Sequence, residues 1–156
     1  MKTSRRVSKD LIRFLKPYPA KVRQTTLALR KFVLDLYPDC FELIYDNYNA
    51  VAVGFAVSER AGDVFCSIAV YSGYVNFGLN RGSELRDPQK KFVGSGSLYR
   101  RLTVGKMEGF PRDYAKRMLR SARDNAVSRL KDEDSTANGV TITKSISPVK
   151  RRPKQV

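Results

Sequence analysis

The pattern of apolar and polar positions divides the chain into helix-patterned ends and a strand-patterned middle. Ser8 is placed to cap a short helix, KDLIRFLK, that stops near Pro17 and Pro19. In AKVRQTTLALRKFVLDLY, residues Val22, Thr26, Leu29, Phe32/Val33 and Leu36 recur at three- and four-residue spacings, which predicts a second helix with one apolar face. Lys21, Arg23, Arg30 and Lys31 fall largely off that stripe, and Pro38 ends the helix. DCFELIYD reads as a further helical turn.

The period then changes to two. NAVAVGFAVS and VFCSIAVY read as strands separated by the loop signal ERAGD, and Ser72-Gly73 permits a tight turn into a third strand, YVNFGLN. A long loop from Asn80 to Ser97 leads to a fourth strand, LYRRLTV. After Pro111 a last helix runs from about Arg112 to Lys131, with Tyr114, Met118, Ala122 and Ala126 four apart on one face. Short connections imply an antiparallel sheet of about four to five strands packed by N-terminal and C-terminal helices, an α+β fold. Residues 1–7 read as a disordered basic N-terminus, 8–131 as one α+β domain, and 132–156 as a disordered basic tail in which GVTITKSI can pair as an edge strand.

Charge sharpens this division. Thirty Lys+Arg against fifteen Asp+Glu give a formal net charge of +15. Phe32 to Leu79 nevertheless carries one cation and six anions, so basic terminal portions flank an acidic, apolar middle. Such a balance favours acidic partners, nucleic acid among them, or simply a solvated basic surface. No apolar stretch approaches the roughly 20 residues needed to cross a bilayer. No secretory signal is visible, and cytoplasm with reduced thiols is the expectation.

Histidine is absent, which removes the imidazole as general base, triad member and metal ligand. Cys40 and Cys66 belong to no Cys-x-x-Cys pair and read as core. Asp35, Asp39, Glu42 and Asp46 are spaced by four, three and four, so on an unbroken helix they form a carboxylate ridge suited to weak coordination of a hard cation; Pro38 interrupts that helix. On the last helix Lys116, Arg117, Arg120 and Arg123 make a basic face able to track a phosphate backbone, or a solvated one. GSGS at 94–97 lacks the Gly-Lys-Ser/Thr of a phosphate loop and the third glycine of a dinucleotide fingerprint, and a strand rather than a helix follows it. It reads as a turn feeding a strand, with a looser anion nest beside Arg100 and Arg101 as the alternative.

ELIYDNYNAVAVGF, NFGLNRGSELRDP and FVGSGSLYRRL together resemble the bacterial YdhG-like domain family, over roughly Leu29 to Leu130. The diagnostic run is Gly82, Leu85, Asp87 and Pro88, followed by Gly94-Ser95-Gly96 and Arg101. The resemblance implies a compact α+β domain of unsettled function, with no settled catalytic residues; some members are labelled frataxin-like iron chaperones. Members often carry Lys after the second glycine and His after the later Arg, where this chain has Ser97 and Leu102. A charge of +15 also opposes delivery of Fe²⁺.

These readings lead to a small non-catalytic binding protein without a cofactor. Its ligand is expected between sheet and helices, near Tyr45, Asn47, Tyr48, Asp87, Ser95 and Arg101, unless Asp87 and Arg101 merely pin the long loop. Weak nucleic-acid binding by the last helix and tail is the second reading, and iron handling by the four carboxylates the third. The ligand and the oligomeric state are not legible in the pattern.

Overall fold

The computed structural model describes residues 5–131 and 138–150. Helix α1 (Lys9–Leu15) begins where expected: the Leu11 amide donates to the Ser8 hydroxyl at 3.1 Å. Pro17 and Pro19 separate it from α2 (Ala20–Leu36). Pro38 disfavours helical geometry at the residue before it, and Tyr37 has turned out of the helix at φ −134°, ψ 71°. Helix α3 (Arg112–Ser128) follows Pro111 and buries Tyr114, Ala115, Met118, Leu119, Ala122 and Ala126, the stripe its spacing predicts.

Six strands form one mixed sheet: β1 (Phe41–Asp46), β2 (Val51–Ala56), β3 (Val64–Val70), β4 (Val75–Leu79), β5 (Arg100–Val104) and β6 (Thr141–Ile146). Their spatial order is β5-β4-β3-β2-β1-β6, antiparallel throughout except where β6 lies parallel to β1. The α+β class therefore stands, with a wider sheet than the four to five strands read from the pattern.

Two corrections account for the extra width. DCFELIYD is not a helical turn; its period is two, with Phe41, Leu43 and Tyr45 on one face and Glu42, Ile44 and Asp46 on the other. And the terminal segments are not wholly tails. Val7 packs on the core, while the Arg5 guanidinium donates to the carbonyls of Pro38 (2.8 Å), Cys40 (2.7 Å) and Gly139 (3.2 Å). Residues 141–146 form β6, the edge strand that GVTITKSI allowed. The remaining disorder expectations, for 1–4, 132–137 and 151–156, lie outside the described residues.

All three helices pack on one face of the sheet. Leu11, Phe14, Leu29, Val33, Met118 and Leu119 meet Ile44, Val53, Phe55, Ile68, Val75, Phe77 and Leu79 in a single core. Phe77 is its aromatic centre, edge-on to Phe32 and Phe110. The other face carries only a small cluster at the β1–β2 side, Leu43, Ala56 and Val64 with Phe41, Tyr45 and Ile142. Among the described residues no helix covers that face.

Candidate ligand-binding groove

The open face is best read along the rows that the strand register creates. One row runs Tyr45–Ala52–Ala69–Asn76–Thr103 and the next Leu43–Gly54–Ser67–Gly78–Arg101. Antiparallel pairing puts directly opposed residues on the same side of the sheet, so each row projects outward together. At the centre these rows hold Ala, Gly and Ser, and the floor is low. Larger side chains stand only around it.

Over β3, β4 and β5 this relief forms a groove of about 670 Å³. At one end the two-residue turn Ser72-Gly73 brings Tyr71 and Tyr74 together, stacked with ring centres 5.0 Å apart. At the other end Tyr99 lies across the sheet. Gly78 makes this possible, since a Cβ there would collide with the Tyr99 ring and hydroxyl. Burial raises the Tyr99 phenol above the ordinary tyrosine value, against a smaller opposing effect of its hydrogen bond with Ser67, so it stays protonated at neutral pH.

The floor is polar in a specified way. The Thr103 hydroxyl donates to Asn76 Oδ1 at 2.7 Å, which occupies the amide oxygen and leaves the Asn76 N–H donors for the groove. Arg101 is the one cation in the lining, and none of the lining residues is acidic. Among the described residues no carboxylate pairs with its guanidinium, whereas Arg13, Arg30, Arg60 and Arg81 each face an Asp or Glu. An unopposed guanidinium beside aromatic rings and amide donors can take an anion and a flat ring together.

The six residues expected to form a ligand site are not assembled. Arg101 lines the groove. Tyr45 shares the outer face with it but sits in the small apolar cluster, its buried hydroxyl without a hydrogen-bond partner among the described residues and its pKa raised by burial. Asn47 and Tyr48 belong to the β1–β2 turn, and Ser95 is exposed in the loop before β5. Asp87 pins that loop: it accepts from the amides of Lys91 (3.2 Å) and Phe92 (2.9 Å) and from the Tyr114 hydroxyl of α3. The region between sheet and helices, where the ligand was expected, is occupied by core side chains.

The GSGS stretch is a turn before β5, as read. Arg100 closes it by donating to the carbonyls of Gly96 and Tyr99, both at 2.7 Å. At Gly94 a Cβ would stand 2.7 Å from the Tyr99 carbonyl oxygen, which explains that glycine by close backbone approach.

The carboxylate ridge does not exist, because β1 is a strand. Lys31 pairs with Asp35 at 2.5 Å, Lys150 with the buried Asp46 at 3.1 Å, and Asp39 lies in the turn before β1. Glu42 is fully buried and bound by Arg30 Nε and Nη2 at 2.6 and 3.0 Å and by the Thr141 hydroxyl at 2.7 Å. Among the described residues no three His, Cys, Asp or Glu side chains gather in a way that would hold a metal. Cys40 and Cys66 are buried free thiols, and burial pushes Cys40 up to about 12 and Cys66 well above its ordinary value, so both stay protonated and unreactive at neutral pH.

On α3, Lys116, Arg117 and Arg120 are exposed on the side away from the sheet. Arg123 instead lies over the Tyr37 ring at 4.8 Å, and Arg117 over Tyr114 at 5.8 Å. The helix surface thus offers charge, while its tyrosines are already covered.

Ser67, Tyr71, Tyr74, Asn76 and Thr103 were missed by sequence reasoning. Their signal was present in the alternate positions of β3, β4 and β5, where small and polar residues replace the aliphatic ones of the other face, and in the tyrosines just beyond the strand ends. Fold and groove together define the class: an α+β protein with a half-covered six-stranded sheet and an aromatic, singly cationic groove on its bare side. No family model matches the chain, and neither a curated protein nor a solved structure matches it.

Proposed function

We propose that the protein is a non-catalytic binding module of the YdhG-like type, and that it takes an anionic, ring-bearing ligand in the groove over β3, β4 and β5. The observation that carries this reading is Arg101: a guanidinium in a concave lining with no carboxylate, flanked by tyrosines. Among the described residues that cation gains no ion pair within the fold, while an incoming anion would form a charge-assisted pair in a partly desolvated setting. Asn76 and Thr103 supply polar contacts for orientation, and the stacked Tyr71–Tyr74 pair supplies a flat wall. The groove's titratable side chains are tyrosines and an arginine, a set suited to holding a ligand more than to moving protons at neutral pH.

Calorimetric titration with phenyl phosphate, which has one ring and one anion, tests this. Heat is expected from the native protein, lost in Arg101→Gln and kept in Arg112→Gln, whose guanidinium lies over Phe32 on the helical side. Heat that is absent, or the same in Arg101→Gln, would remove the proposal.

A further inference from the structure

The ring-bearing anion that fits best is a stretch of single-stranded nucleic acid, and this inference rests on the groove reading above. We infer that successive bases lie along the open sheet face, one stacked on Tyr74, while Arg101 holds a backbone phosphate. Three observations converge. The chain carries +15, so a polyanion is drawn to it at long range. The acid-free groove over β3, β4 and β5 joins a cation to exposed aromatic surface, with Tyr74 42% exposed. And the floor is long: the four residue steps from Tyr74 to Gly78 span about 13 Å of strand, more than one base and its phosphate need.

A duplex does not suit this surface. Stacking on a tyrosine requires a base face that is already open, as in a single strand. On the floor, Asn76 and Thr103 would meet base edges, so mild base preference is expected at that point of the groove. The basic face of α3 is the competing location. It lies on the helical side of the sheet, and its nearby rings, Tyr37 and Tyr114, are covered by Arg123 and Arg117. It therefore supplies attraction to phosphate without a stacking platform.

Fluorescence polarisation with a labelled uridine octamer, titrated at several salt concentrations, decides the matter alongside phenyl phosphate and AMP as competitors. The octamer should bind more tightly than AMP. Tyr74→Ala should weaken it by about tenfold, as expected for loss of one stacked base. Arg101→Gln should reduce the slope of log K against log salt by about 0.7, the share of one phosphate on a single strand. Asn76→Asp, which keeps the floor's shape and adds a negative charge, should abolish binding even if the tyrosine variants disturb the turn. Octamer binding that survives all three changes and disappears in Lys116→Ala/Arg117→Ala/Arg120→Ala would overturn the inference in favour of α3. AMP binding as tightly as the octamer, or phenyl phosphate binding through Arg101 without any octamer binding, would overturn it while leaving the groove reading intact. Failure of all three probes would overturn both.

Discussion

Arg30 shows how much one residue's meaning depends on its partner. Its place on α2 falls off the apolar stripe, yet it is only 4% exposed. It is held there by a two-pronged contact with Glu42, itself at 0%, and by the carbonyl of Arg6 at 3.0 Å. Glu42 in turn accepts from Thr141 of β6. Four parts of the chain (the N-terminal segment, α2, β1 and β6) therefore meet at one ion pair. Buried pairs of this kind contribute little relative to an apolar pair but are costly to break from one side. Arg30→Ala, which strands the Glu42 carboxylate, should cost about 3–5 kcal/mol in urea unfolding. The double variant Arg30→Met/Glu42→Leu should cost clearly less than the sum of the single ones. Additive losses would show that the pair is not coupled.

At the scale of elements, β1 and β6 were the hardest to read and depend on each other. β1 was obscured because Glu42 and Asp46 look like solvent-facing charges, and a strand whose buried face carries two carboxylates has no legible period until their cations, Arg30 and Lys150, are known. Those cations lie 12 and 104 residues away from their partners, beyond the reach of any local pattern. β6 was legible as an edge strand, though not its parallel pairing, because orientation is decided by where the chain returns to the sheet. That return is tight. A Cβ on Gly139 would stand 2.5 Å from the Asp39 carbonyl oxygen and from the Cys40 carbonyl carbon. Both are backbone atoms that cannot rotate away. Gly139→Ala should therefore loosen the start of β6, costing roughly 1–3 kcal/mol and speeding amide hydrogen exchange in β6 and β1 relative to β3. Unchanged exchange in those two strands would show that the close approach relaxes freely.

For the whole molecule, the helical face was legible and the bare face was not. The helical stripes and the three central strands follow from period and punctuation: Ser8, Pro17, Pro38, Gly73 and Pro111 fall at element boundaries. Among the described residues core side chains fill the interface where the pocket was expected, and Asp87 serves to tie the long loop to α3. Of the expected ligand residues only Arg101 lies in the groove. The groove depends on cross-strand rows, and a row such as Ser67–Gly78–Arg101 joins residues 11 and 23 apart in a register that loop lengths decide. Charge misled in a similar way. The basic face read on α3 lies on the helical side, while Arg101, expected to meet a ligand beside Asp87 and Ser95, lines the groove of the other face apart from both.

The most direct test of the central claim is a map of backbone amide shifts in the ¹⁵N-labelled protein titrated with phenyl phosphate. The account predicts saturable shifts at Ala69, Asn76, Arg101 and Thr103, with Lys116 to Arg120 still. Shifts confined to α3, or none that saturate on the bare face of the sheet, would contradict it.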